Sequence, residues 1–417
     1  MTPTVALVGA SGYGRRHLAE LLELHREGAI VVGAVVDVEP AAELPALLAA
    51  SDASPFVTAG LGTALDHVGP DAVVIATPPH THAALAARAL ASGAAVYLEK
   101  PPVPLPSQLA SLVDLAGGTR FEVGFQQTPG VVAAVSDVLA AHDLGPVLRV
   151  TGFGALQRPD AYYARARWAG RRDLDGAPVF DGALFNPLAH VVHAALAVAR
   201  TVEPRWAMAE FEAELGSVRP IQADDLAALR VHSRHGPLVT AVGTTAADRV
   251  VEPGLVVVAE RASLRLRLRD LAASIVPVRH GPPGAAPARA VPVPASREHR
   301  SALRQLVLEP RGAADPLLTG SAAEPFVRLV AAVVDSVAAP TQLGHLGRSR
   351  DHDHDGDRWV ELPGSTDAID AAVTGGTMLG EQGVPVVAVR RAGLEEWNGL
   401  LGHPYDLDQA ASEGVST

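Results

Sequence analysis

Short apolar runs, each closed by glycine, proline or a charged residue and followed by apolar residues three and four apart, alternate through the first part of the chain. Val5–Val8, Ile30–Val36, Ala72–Ala76 and Ala94–Leu98 read as strands buried on both faces. Between the first two, Leu18, Leu21, Leu22 and Leu24 fall near helical spacing, and Gly28 stops the helix. An alanine-rich stretch after Thr77-Pro78-Pro79 predicts another crossover helix. The repeated βαβ pattern predicts a doubly wound parallel sheet.

The period then changes to two. "PVLRVTGFGAL" opens a series of strand candidates at Arg205–Leu215, Leu226–His235, Leu238–Thr245, Gly254–Glu260 and Ser263–Asp270. In "SLRLRLRD" the alternation puts three leucines on one face and three arginines on the other. A large sheet with helical cover on a single side leaves a face for another subunit. Arg279–Ser296, rich in proline and alanine, reads as an extended connector, and "STDAIDAAVTGGTMLG" as a helix opened by a Ser or Thr cap and followed by an irregular tail.

Length and charge narrow the classes. At 417 residues the chain exceeds one ordinary core, so two domains are expected, and 48% hydrophobic residues suffice to fill them. A net charge of −12 argues against nucleic acid and anionic membranes and points to a small-molecule partner. Absence of cysteine excludes disulfides and thiolate metal sites. With no long apolar segment, the expected location is cytoplasmic.

The chemistry begins at "VALVGASGYGRRH". A strand feeding a glycine-rich turn that opens a helix aims backbone N–H groups at an anion, usually a dinucleotide pyrophosphate. Gly9 and Gly14 fit the outer positions of G-x-G-x-x-G, Ser11 replaces the middle glycine, and Gly12 lies beside it. The same spelling resembles acyl-phosphate and semialdehyde reductases, which need a cysteine nucleophile that this chain lacks. Asp37, the first acidic residue after the second strand, sits where a carboxylate accepts both ribose hydroxyls and repels a 2′-phosphate, which selects NAD over NADP. Thr77 and Lys100 end strands at the same edge of the sheet. A lysine held there in a dry crevice suits an electrophile or acid.

The glycine turn with His17, the T-P-P-x-x-H from Thr77 to His82 and the triplet Glu99-Lys100-Pro101 together resemble the Gfo/Idh/MocA oxidoreductases. The resemblance spans about residues 4 to 126, and more weakly 145 to 195. It implies an α/β enzyme of two domains. Residues 1–126 would form an NAD-binding Rossmann domain with a doubly wound parallel sheet. Residues 127–417 would form a substrate-binding and oligomerisation domain with a large open, mainly antiparallel sheet. Candidate cofactor contacts are then Gly9, Ser11, Gly12, Tyr13, Gly14, Asp37, Thr77, Pro78, His82, Glu99 and Lys100, and homodimers or homotetramers are implied.

In the second domain, Asn186, His190 and His193 fall at i, i+4 and i+7 and would share one helical face. The family carries an aspartate and a histidine at the spacing of Asn186 and His190, which makes His190 the proton acceptor beside Lys100 and Asn186 the orienting group. The local alternative is that Asn186, followed by Pro187, caps the helix and the histidines are core or surface residues. Thr128 stands where many relatives carry an arginine. Tyr163 and Trp168 are candidate substrate contacts. Arg165, Arg167, Arg171 and Arg172 around Trp168 fit either a rim for an anionic or hydroxylated substrate or a solvated loop. "RDHDHDGD", from Arg350 to Asp357, reads as a polar loop, and no metal is expected, because alternating ligands of an extended strand cannot all face one ion. The function expected is NAD-dependent hydride transfer at a secondary alcohol of a sugar, cyclitol or related polyol. Its rivals are a redox-neutral NAD-dependent glycosidase or lyase and a non-catalytic NAD-binding regulator.

Overall fold

The alternation read in the first 126 residues folds as expected in the computed structural model, which describes residues 1–277, 291–293, 301–351 and 357–394. Two units form, one from residues 1–126 with 301–327, the other from 127–277 with 291–293, 328–351 and 357–394.

In the first unit the order is β1 (Thr4–Val8), α1 (Gly14–Arg26), β2 (Val31–Val36), α2 (Leu44–Ala49), β3 (Phe56–Thr58), α3 (Leu61–Val68), β4 (Ala72–Ile75), α4 (His82–Ala91), β5 (Ala95–Leu98), α5 (Pro106–Ala116) and β6 (Phe121–Val123). The strands are all parallel, in the order β3-β2-β1-β4-β5-β6. Their apolar runs are buried because helices cover both faces. Strand order reverses between β1 and β4, and ligands of such sheets sit beyond the carboxyl ends of the strands at this switch. The Gly9–Gly14 turn and the Thr77 loop lie there.

The second unit runs α6 (Thr128–Ala141), β7 (Val147–Gln157), α7 (Asp160–Ala164), a small hairpin of β8 (Asp173–Leu174) and β9 (Ala177–Pro178), then α8 (Ala189–Val202). It continues with β10 (Met208–Ser217), β11 (Leu226–Ser233), β12 (Leu238–Thr244), β13 (Ala246–Ala259), β14 (Ala262–Arg267), β15 (Ala273–Pro277) and β16 (Val291–Val293). The rest of the Arg279–Ser296 connector lies outside the described residues. Next, α9 (Ala302–Leu308) packs in the first unit, against α1, β4 and β5. Its apolar side, Ala302, Leu303, Leu306 and Val307, is buried, and the Arg120 guanidinium donates to the Gln305 and Glu309 carbonyls at its carboxyl end. The chain ends its described course with α10 (Glu324–Ser336), β17 (Thr341–Gln342), a hairpin of β18 (Arg348–Asp351) and β19 (Arg358–Glu361), α11 (Ser365–Gly375) and β20 (Ala388–Ala392).

The large sheet has the order β16-β15-β14-β13-β7-β12-β11-β10-β17, with β20 also pairing to β10. Among the described strands of this sheet only β7 with β12 and β10 with β17 run parallel, so the sheet is mixed and mainly antiparallel. Leu264 and Leu266 of β14 are buried and Arg265 and Arg267 exposed, as the alternation predicts.

Both faces of its centre are covered by the same chain, α8 on one side and α11 on the other. Gly152 and Gly154 of β7 face α8. A Cβ there would stand 2.6 Å from Val191 O and 2.6 Å from Leu188 Cδ2, and one on Gly243, paired with Gly154, would stand 2.4 Å from Leu188 Cδ1. The intervening Phe153 and Ala155 point the other way and pack with Ile369, Ala372 and Val373 of α11. Arg149 closes α11 by donating to the carbonyls of Val373 and Thr374, each at 3.1 Å.

Neither Ser365 nor Thr366 caps α11, as the sequence led one to expect. The helix starts after Gly364 (φ +76°), and the cap comes from Asp248 on β13. Its carboxylate accepts from Gly364 N at 2.7 Å, Thr366 N at 3.1 Å and Ser365 Oγ at 3.2 Å. Burial works against the charge of Asp248, but these bonds outweigh it and hold its pKa below the usual value. No helix among the described residues is long and apolar enough to cross a membrane.

Covering this face with α11 has a measurable consequence. Ile369 is fully buried, so Ile369→Ala should lower the unfolding free energy by about 2–5 kcal/mol in denaturant titration. A loss well below 1 kcal/mol would mean that α11 does not pack there.

Candidate active site

The glycine turn is dictated by steric fit. Gly9 takes φ +85° and Gly12 φ +55°, both in the left-handed region. A Cβ on Gly14 would lie 1.9 Å from the Gly9 carbonyl oxygen, and one on Gly9 would lie 2.9 Å from Ala76 O. At Gly12 nothing lies within 4 Å, so this glycine supplies conformation and leaves the approach open. Ser11 and Tyr13 are exposed beside it. The first turn of α1 has no acidic residue and no side-chain cap, so its positive end is offered outward. At the end of β2, Asp37 Oδ2 accepts from Ala10 N at 2.8 Å and lies 3.5 Å from Ser11 Oγ, while Oδ1 accepts from Glu39 N at 3.0 Å. Phosphate-binding amides and a ribose-binding carboxylate are thus joined in one turn, and these residues fit a dinucleotide.

Two loops complete this edge. After β4, Thr81 Oγ1 donates to Pro78 O and so accepts from Thr77 Oγ1, both at 2.7 Å. His82 is buried, with Nδ1 2.7 Å from Pro102 O and Nε2 2.8 Å from Thr77 O. Burial, the larger effect, lowers its pKa, although the carbonyls at both nitrogens favour the cation. Glu99 is also buried. Its Oε1 accepts from His17 Nε2 at 2.7 Å, and its Oε2 accepts from Lys100 N at 3.0 Å. His82 and Glu99, proposed from sequence as cofactor contacts, therefore direct these polar atoms inward and hold the segment that carries half-buried Lys100. The His17–Glu99 pair was not assigned from sequence. Spacing of 82 residues hid it, although both members stand in the quoted motifs. The rings of Tyr13 and Tyr97 meet His17 edge-on, and burial raises the Tyr97 hydroxyl well above its usual pKa. Tyr13 Oη accepts from Gln126 Nε2 at 3.4 Å.

In the second unit the reading of Asn186, His190 and His193 as one helical face needs correction. Asn186 precedes α8, whose cap position is Leu188, so it is neither helical nor the cap. His190 stands half-buried in the first turn of α8. His193 is buried toward α6, with Nδ1 2.8 Å from the hydroxyl of buried Thr128. The position where relatives carry arginine is thus occupied in a core hydrogen bond.

Asn186 has a partner that sequence reasoning missed. Its Nδ2 donates to Asp181 Oδ1 at 2.6 Å, and Asp181 Oδ2 accepts from Gly170 N at 2.7 Å. Asp224 Oδ2 accepts from Ala183 N at 2.9 Å, and a Cβ on Gly182 would stand 2.3 Å from Asp224 Oδ1. These two carboxylates pin both ends of the turn. Burial, the largest effect, pushes Asp224 up to about 7; the Ala183 N–H and Arg172 oppose this, and Asp225 adds to it.

Of the four arginines near Trp168, Arg165 is the one whose side chain reaches Asp181. Its Cζ stacks 3.6 Å from the Tyr162 ring centre and 4.7 Å from that of Trp168, and a guanidinium nitrogen lies 3.9 Å from Asp181. Arg167 pairs with Asp175, Arg172 donates to Val334 O and Ala338 O at the end of α10, and Arg171 is exposed. Tyr163 Oη lies 2.7 Å from Thr245 Oγ1, and burial raises its pKa.

Most of the "RDHDHDGD" run lies outside the described residues. Elsewhere, ligand atoms of Glu210, Glu212 and His232 come within 4.8 Å of one another. Each carboxylate there already bonds an arginine, Glu210 to Arg390 and Glu212 to Arg230, which balances the charge a cation would need.

Comparison with known proteins agrees with this geometry. A family described as "Oxidoreductase family, NAD-binding Rossmann fold" matches residues 4–124. Inositol 2-dehydrogenase of Arthrobacter sp. (strain FB24) is 32% identical over 160 residues, 36% of this chain and 44% of that enzyme, so the match spans under half of the relative's length. Among solved structures, the WlbA dehydrogenase from Bordetella pertussis in complex with NADH and UDP-GlcNAcA is 22% identical, with a TM-score of 0.62 over 80% of this chain and 95% of that one. A levoglucosan dehydrogenase in complex with NADH is 16% identical, with a TM-score of 0.63 over 81% and 97%. These two likenesses are of fold.

The environment of Asp224 sets a pH dependence. Its folded pKa of about 7 lies above the ordinary carboxylate value of about 4. Its contribution to stability is therefore fully present below about pH 4 and is lost as pH rises through about 7. The melting temperature should fall over that window, and Asp224→Asn, which retains an acceptor for Ala183 N–H without the charge, should remove that part of the fall. Identical pH profiles for the two proteins would contradict the assignment.

Proposed function

We propose, from the match of residues 4–124 to the Gfo/Idh/MocA oxidoreductase family, that this chain is an NAD-dependent dehydrogenase acting on a secondary alcohol of a sugar, cyclitol or related polyol. The observation that carries this reading is the Gly9–Gly14 turn with Asp37 at its side, the two halves of a dinucleotide site. The names of the relatives, an inositol dehydrogenase and a levoglucosan dehydrogenase, support a polyol-type substrate. Bound NAD supplies the hydride acceptor.

The protein's own groups do the rest. His190 takes the hydroxyl proton, because an imidazole titrates near working pH. Lys100 polarises the oxygen that is becoming a carbonyl, and Asn186 orients it; in reduction the roles reverse. Arg165 and Trp168 offer a cation and an apolar ring face to a hydroxylated substrate. Tyr163, a further candidate substrate contact, has its hydroxyl beside Thr245. A chain without cysteine and with this cofactor suits the cytoplasm.

Two measurements test the reading. Calorimetric titration should show tighter binding of NAD(H) than of NADP(H), because the Asp37 carboxylate repels a 2′-phosphate; equal or tighter NADP(H) binding would contradict it. Lys100→Met and His190→Ala should each lower turnover of a polyol substrate about 100-fold or more while NAD affinity is kept, the usual scale of acid–base groups. Wild-type turnover in both variants sinks the mechanism. Retained NAD with no absorbance change at 340 nm for any polyol favours the redox-neutral enzyme or the regulator instead.

A further inference from the structure

The pair Asp181–Asn186 carries an arrangement that resting on Asn186 alone does not explain. Both side chains are buried. An ionised carboxylate only accepts, so the 2.6 Å contact must be made by the Asn186 NH2 group, and the chemistry settles which way the amide faces. Since the two ends of a planar amide point apart, the atom Asn186 turns away from Asp181 is its carbonyl oxygen, an acceptor.

Asp181 is fixed in this role by further contacts. Its second oxygen accepts from Gly170 N at 2.7 Å, and Arg165 lies 3.9 Å from it. Gly170 takes φ +69°, and a Cβ on it would stand 3.0 Å from the Tyr163 ring, so the backbone that donates to Asp181 is itself held. The loop carrying Arg165 and Trp168 and the turn carrying Asn186 are thus joined through one carboxylate.

We propose that Asp181 is a positioning residue for substrate recognition, locking the Asn186 amide so that its Oδ1 accepts from a substrate hydroxyl next to the one whose proton goes to His190. The inference rests on the dehydrogenase reading above. Where relatives carry an aspartate, this chain presents a neutral acceptor and keeps the negative charge one side chain further back.

A consequence runs against simple restoration of the family residue. Asn186→Asp places two carboxylates in hydrogen-bond contact, where they cannot both ionise and must share a proton. The exchange of both residues, Asp181→Asn with Asn186→Asp, returns one charge and one amide, with the hydrogen bond reversed.

The test compares the wild type, Asp181→Asn, Asn186→Asp and the double exchange, by melting temperature against pH, NAD affinity, and kcat and KM on myo-inositol and levoglucosan. In Asn186→Asp one carboxyl pKa is raised in the folded state, so its stabilising contribution is lost as pH rises through that value. This variant should melt progressively below the wild type between about pH 5 and 8, and the double exchange should recover. Asp181→Asn should lower kcat about tenfold with unchanged NAD affinity. Asn186→Asp should be less active than the wild type at pH 8, gain relative to it as pH falls, and be rescued by the double exchange. Asn186→Asp as stable and active as the wild type at pH 8, or a double exchange no better than Asn186→Asp, overturns the proposal. Coupling in the melting curves without turnover of either polyol by the wild type removes the substrate role and counts against the dehydrogenase reading; turnover without coupling removes Asp181 alone.

Discussion

The backbone of Gly9 against that of Gly14 is the contact on which the first unit depends. With 1.9 Å between the Gly9 oxygen and the place a Cβ of Gly14 would take, α1 starts directly beyond the end of β1. Its amino end then faces the crevice where strand order reverses, and its buried leucines meet the sheet. The second unit uses the same device twice. Gly152, Gly154 and Gly243 let Leu188 and the start of α8 down onto the sheet, and Gly182 admits the Asp224 carboxylate. Missing side chains decide where the polar ones stand.

Backbone amides then place the charges. Asp37, Asp181, Asp224 and Asp248 each accept from main-chain N–H groups, which fixes the carboxylate before any ligand arrives. Arginines play the opposite part at helix ends: Arg120 on α9, Arg149 on α11 and Arg172 at α10 satisfy carbonyls that a helix leaves open. An arginine-rich segment in the sequence therefore reduces, in the structure, to Arg165 as the cation placed beside Asp181.

The same division explains what relates this chain to its neighbours and what sets it apart. The parallel sheet and its turn match a family over residues 4–124, and the fold likeness extends over about four fifths of the chain. Asn186 with Asp181, Thr128 with His193, and α11 over the sheet are features of side-chain contact in this molecule. They alter how a shared fold presents its polar groups without altering strand order.

Sequence alone determined the βαβ unit, the place of the glycine turn, Asp37 and Lys100 at strand ends, and the leucine–arginine alternation of β14, because each is a local period or a steric demand within a few residues. It did not determine that α9 returns to the first sheet, that α11 covers the second, or that Asp248 caps α11 from 116 residues away. Nor did it reveal that His17 meets Glu99, that Asp224 holds Ala183 across 41 residues, or that Asn186 faces a carboxylate just outside its helix. Contacts of that kind leave no period in the chain. They are decided only when burial forces each polar group to find a partner among whatever the packed elements bring near, since an unsatisfied one costs about 1–3 kcal/mol.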